Sequence, residues 1–218
     1  MKEKSIYVKN LDEIQNNLSQ LFKSNSFKKK GRTYNKTLED NIVHVINFQS
    51  GEYPISNYVI PGIRENLYGK FTVNLGVFIP CVNELETRSK IPKFIQEYHC
   101  SIRVRFGELL NSTNDIFWNL NSNLSKISER LKELFTKAGF SFLNQYLNYQ
   151  DIIKYFEQNK ELPFNNPDRS KFIISLIYIH LNEREKAKQL IEEILKESGH
   201  NGFKQHVLDT SKRINLFV

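Results

Sequence analysis

Apolar residues recur at Leu11, Ile14, Leu18, Leu21 and Phe22, a spacing that lays one stripe along a helix, so the chain is expected to open with a helix ending near Ser24. The period then shortens to two. Arg32 to Leu38 reads as a strand, Glu39, Asp40 and Asn41 as a polar turn, and NIVHVINFQ as the β-branched partner strand of a hairpin. Ser50 to Tyr68 holds Gly51, Pro54, Pro61 and Gly62 without a period and reads as a long loop. KFTVNLGVFIP gives a third strand, a second loop runs from Cys81 to Glu97, and HCSIRVRFGEL, residues 99 to 109, gives a fourth strand. NDIFWNL is a short fifth strand or a turn.

After that the pattern becomes helical. Leu124, Ile127, Leu131, Leu134 and Phe135 form an amphipathic stripe, with Gly139 expected to close the helix. Everything downstream reads as helix broken at KELPFNNPD, including a helical hairpin that turns at Asn182. The expected fold class is α+β: a four- to five-stranded antiparallel sheet packed on helices, with an all-helical C-terminal extension. The expected division is an α+β domain over 1–138 and a helical extension over 139–218 packed on it, since so few helices would not bury a core alone.

In an antiparallel sheet covered on one face, Ile42, His44, Ile46 and Phe48 would point to the core. So would Phe71, Val73, Leu75 and Val77, and Ile102, Val104 and Phe106. The opposite face then gathers Asn47, Thr72, Asn74, Arg103 and Arg105 from three strands. Two readings stay open for it. It is either the ordinary wet face of an antiparallel sheet or a recognition face, because amides and forked guanidinium groups suit carboxylates and phosphates.

The net charge is +7 and the isoelectric point about 9.2, which permits an acidic protein, an anion or nucleic acid as partner without choosing among them. The densest basic run is Lys28, Lys29, Lys30 and Arg32, beside Phe27 and Tyr34. It suits either anion contact or a solvated turn whose lysines discourage edge pairing. No apolar run suits a signal peptide or approaches the ~20 residues of a membrane span, so a cytoplasmic protein with no membrane contact is expected.

Four phrases in order, FKKKGRTYNK, IVHVINFQ, FTVNLGVFIP and CSIRVRFGELL, resemble a bacterial family catalogued as domain of unknown function 4304. Members carry a Phe-Lys-Lys-Lys-Gly turn after a helix, then Val-x-x-Asn-Phe-Gln, Asn-Leu-Gly and Cys-x-Ile-Arg-x-Arg strands. Phe117-Trp118 stands where an aromatic pair follows. The resemblance covers residues 10 to 135 or so, leaves out the tail from Phe140, and implies no activity.

Searching the residues for chemistry is equally sparing. No phosphate-binding glycine loop and no G-x-S-x-G elbow occurs. Cys81 and Cys100 form no C-x-x-C pair, and His44, His99, His180, His200 and His206 show no ligand spacing, so neither metal nor cofactor is expected. His99 and Cys100 are neighbours that a strand would point apart, and Glu84 and Glu86 read as a solvated loop pair. The expected function is therefore non-enzymatic binding. In this reading the chain is an immunity protein that neutralises a toxin with an acidic surface by direct contact. The alternative is a nucleic-acid-associated protein using the basic patches.

Overall fold

The computed structural model describes residues 4–51, 66–110 and 115–216. The strands are β1 (Lys28–Lys30), β2 (Thr33–Thr37), β3 (Val43–Ser50), β4 (Lys70–Phe78), β5 (Ile102–Arg105) and β6 (Trp118–Asn119). They form one sheet in the order β1-β2-β3-β4-β5, with β6 pairing the start of β4, Phe71 opposite Trp118. The fold is α+β with an antiparallel sheet. By contact, the chain divides into two compact units that alternate along the sequence.

The first unit is Met1–Lys36, Val45–Gly76 and Val104–Asn144. The opening helix is broken at Leu18 into α1 (Ile6–Asn17) and α2 (Ser19–Ser24), and the Ser5 hydroxyl caps α1 by accepting from Val8 N. The expected stripe is buried at Leu11, Ile14, Leu18 and Phe22. Phe22 lies at the centre of an aromatic cluster, its ring 4.6 Å from Tyr34 and 4.8 Å from Phe135 between centroids.

Residues after β5 behave differently from expectation. Phe106 leaves the strand and starts α4 (Phe106–Leu109). Gly139 does not end the long helix. Helix α5 (Leu124–Leu134) runs through a π turn, Phe135–Gly139, into α6 (Phe140–Leu143), with Gly139 at a helical φ of −61°. The glycine is there for space. A Cβ on it would sit 3.0 Å from Phe135 Cδ1 and 3.2 Å from Phe106 Cε1.

The second unit is Thr37–His44, Val77–Arg103 and Gln145–Val218. Its helices are α3 (Pro80–Thr87), α7 (Tyr149–Asn159), α8 (Pro167–His180), α9 (Arg184–Glu197) and α10 (Asn201–Arg213). Helix α8 is buried without a break from Phe172 to Tyr178, so it is the core of this unit. It packs on α3, α7 and α9, and the α8–α9 hairpin turns at Asn182 with a left-handed φ of 63°.

The sequence divided the chain at 138/139, whereas the tail helices share their unit with strand ends and with α3. The shortage of helices that argued against an independent tail is met by borrowing apolar surface from earlier in the chain. Helix α3 lies where a loop was expected. Pro80 sits at its first turn, where its missing N–H costs nothing, and Cys81 and Val82 are buried.

Candidate functional site

The polar sheet face was the first candidate, and its central strand is not open. Thr72 is 1% exposed and Asn74 4%, and β4 is buried on both faces from Phe71 to Phe78. This corrects their expected exposure: β4 has neighbours on both edges and cover on both sides. The asparagine amide N–H groups donate to neighbouring side chains, Asn47 Nδ2 to Thr33 Oγ1 at 2.9 Å and Asn74 Nδ2 to Gln49 Oε1 at 2.9 Å. They hold strands in register within the first unit.

The basic run likewise separates into two parts. Lys28, Lys29 and Lys30 form β1, exposed at the end of the strand order and paired only with β2 among the described strands. Lysines on such an edge discourage pairing with another chain. Burial, and then the nearby Arg32 charge, hold the Lys29 amine below its ordinary value, but Arg32 has its own donors engaged. Its guanidinium is 2.7 Å from Asp12 Oδ1 and donates to Gln15 Oε1 at 2.7 Å and to Val8 O, so it ties β2 to α1. The long loop after Ser50 falls almost wholly outside the described residues, as does part of the one before Trp118.

The two sheet arginines have different fates. Arg105 pairs with Asp115 in the first unit. Arg103 belongs to the second unit and lines a cleft of ≈ 520 Å³ there. One wall of that cleft is the end of α3 with the following chain to Pro92, another is Tyr98 to Ser101, and the third is Phe164, Asn165 and Arg169 at the start of α8. Each wall is fixed locally. Arg88 takes a left-handed φ of 56° after α3, and Asn83 Nδ2 donates to Ser89 O at 3.0 Å. Asn165 Nδ2 donates to Ser101 O at 2.9 Å, and Asn166 caps α8 by accepting from Arg169 N.

In the cleft the Arg103 guanidinium stacks on the Phe164 ring, 4.5 Å from its centroid, and Nη1 reaches Glu97 Oε1 at 3.3 Å. Phe164 is 64% exposed and Tyr98 71%, the two most exposed aromatic side chains among the described residues. Phe164 also holds a left-handed φ of 59°, unusual for a bulky side chain. Lys90 is exposed at the rim with no ion pair among the described residues.

Glu86, expected as a solvated loop carboxylate, is the most heavily paired acid in the unit. Arg169 grips it with both Nη atoms, at 2.6 and 2.8 Å, and His206 Nε2 lies 2.9 Å from Oε1. Arg213 adds hydrogen bonds to the Leu85 and Glu86 carbonyls. Burial pushes the Glu86 carboxyl up, but Arg169 and His206 together outweigh it and hold the group below the ordinary carboxylate value.

His99 and Cys100 line the cleft, but the groups that could be nucleophiles or bases are buried or engaged in hydrogen bonds. The Cys100 thiol is buried, and burial pushes it well above its ordinary value; Cys81 is likewise pushed up to about 12. His99 Nδ1 accepts from Gln96 N at 3.0 Å and caps the short turn Glu97–His99. His44 Nε2 lies 2.9 Å from Tyr146 O. No group of three or more metal-binding side chains occurs among the described residues, and no described helix is long and apolar enough to cross a membrane.

A family model matches residues 18–157, well over half of the chain. The chain belongs to the family described as Domain of unknown function (DUF4304). The match starts inside the opening helices and reaches α7, beyond the point near residue 135 where the sequence resemblance stopped. No curated protein and no solved structure matches the chain. The family match takes in Tyr98 and Arg103 but ends before Phe164, so the cleft combines family and tail residues.

Proposed function

We propose that this chain is a non-enzymatic binding protein, an immunity protein that neutralises a toxin by direct contact through the cleft of its second unit. The observation that carries the reading is the Arg103–Phe164 stack beside exposed Tyr98. Arginine and tyrosine are among the residue types that dominate binding energy at protein interfaces. Two further observations support it. The cysteines are buried and inert, and the best-placed carboxylate, Glu86, is already neutralised by Arg169 and His206. Lys90 and Arg103 give the rim a positive character that suits an acidic partner, in line with the net charge of +7. Nucleic acid is the weaker partner, because Arg32 is tied to Asp12 and the lysines of β1 have an edge-protecting role.

Expressing the products of the genes that flank this one, each alone and together with this chain, tests the reading. One product should arrest growth alone, be harmless when coexpressed, and copurify with this chain. Toxicity that coexpression leaves untouched, for every flanking product, would refute the immunity role.

A further inference from the structure

Building on the reading of this cleft as a binding site, we infer that it recognises a peptide segment in which an aromatic residue is flanked by carboxylates. The Phe164 ring covers one face of the Arg103 guanidinium, which leaves the in-plane N–H edge as the group available to a ligand. Glu97 uses only Nη1, and at 3.3 Å the contact is longer than the ~2.7–2.9 Å of a strong charge-assisted pair. No other acceptor among the described residues takes the remaining donors. A planar fork with free donors matches one carboxylate in a two-point contact. Lys90 supplies a second cation on the same cleft, and Tyr98 supplies an exposed ring with both an apolar face and a polar tip. The Arg169 charge is not available, being spent on Glu86. The volume of ≈ 520 Å³ lies in the range that holds a few side chains or one small ligand.

A nucleotide would also offer a flat ring and an anion, but the walls argue against it. No glycine lines the cleft, so it holds no glycine-rich phosphate loop. Glu97, paired to the same Arg103, would oppose a phosphate dianion more than a single carboxylate.

The test is titration of the isotope-labelled full chain with capped tripeptides, following the arginine side-chain and backbone N–H signals by NMR. The probes are Glu-Tyr-Glu, Gln-Tyr-Gln, Glu-Ala-Glu and adenosine monophosphate. Glu-Tyr-Glu is expected to shift the Arg103 Nε–H signal and those of Tyr98 and Phe164, at least tenfold more tightly than either variant peptide. Arg103→Ala should weaken it at least tenfold with the remaining spectrum preserved. Arg103→Lys, which keeps the charge without the fork, should weaken it too, and it serves if the alanine variant does not fold. No shift up to about 10 mM peptide, where even a very weak site would fill, overturns the inference. Equal binding of Gln-Tyr-Gln overturns it as well, and tighter binding of the nucleotide replaces it with a nucleotide site. If a flanking toxin is neutralised but no peptide binds, the inference fails and the immunity role stands. If peptide binds and no toxin is neutralised, the reverse holds.

Discussion

Phe164 is where folding and binding should pull in opposite directions. It is 64% exposed and holds a φ of 59°, so its ring adds little to the core while its backbone sits in the left-handed region. That conformation costs an ordinary L-residue about 1–2 kcal/mol. Asparagine tolerates it, so Phe164→Asn recovers much of that cost. The substitution loses the stack on Arg103, which at an exposed site contributes about 0.5–1 kcal/mol. The two nearly cancel, and the net stability change should lie between zero and about +1 kcal/mol, a rise in Tm of no more than roughly 4 °C for a chain of this size. Losing an aromatic anchor from an interface costs about 2 kcal/mol or more, roughly thirtyfold in affinity. Thermal melting and titration of the partner, on the same preparation, give both quantities. A variant that melts several degrees lower would mean that Phe164 belongs to the structure, and that its strained backbone is no sign of function.

Two further substitutions test the fold around the site. Gly139→Ala should destabilise by about 1 kcal/mol or more, because the new methyl group meets Phe135 and Phe106; a gain in chemical-denaturation midpoint, the usual result in a helix, would show that the π turn has room to relax. Glu86→Gln should destabilise by about 2–4 kcal/mol near neutral pH, since it leaves Arg169 and His206 without their anion. The Glu86 carboxyl titrates lower in the folded chain than its ordinary 4.5, so its contribution is present above that value and lost as pH falls through the folded one. The difference in Tm between the two proteins should therefore shrink as the pH is taken below that ordinary value, and a difference that stays constant with pH would place the effect in packing.

Strands β2 to β5 and the α8–α9 hairpin were legible because their periods are local, whereas Lys28–Lys30, expected as a turn, is strand β1. Phe71, Val73, Leu75 and Val77 alternate whatever surrounds them, and a turn at Asn182 is written in the residues on either side of it. What lies against a strand is not local. Alternation in β4 shows which residues share a face, but whether that face meets water depends on distant chain, and Thr72 and Asn74 are buried. The same limit hid the site. Arg103 was a candidate from its strand, yet its partner Phe164 comes from a break in the helical tail that carried no motif. Helix α3 could have been found from Pro80 at a first helical position, followed by Cys81, Val82 and Leu85 on one side. Glu86 could not, because its meaning comes from Arg169 and His206, more than eighty residues away.

The most direct test compares Arg103→Ala with Arg105→Ala in the affinity of the full chain for the toxin that coexpression identifies. The two arginines are neighbours on β5 with the same side chain, but Arg103 lines the cleft, while Arg105 is spent on Asp115 at the surface. Losing an exposed pair of that kind changes stability by no more than about 1 kcal/mol, so both variants should melt close to the parent protein. Arg103→Ala is expected to weaken binding by roughly thirtyfold, and Arg105→Ala by less than about threefold. Equal losses in the two variants, or undiminished binding by Arg103→Ala, would contradict the cleft as the site of recognition.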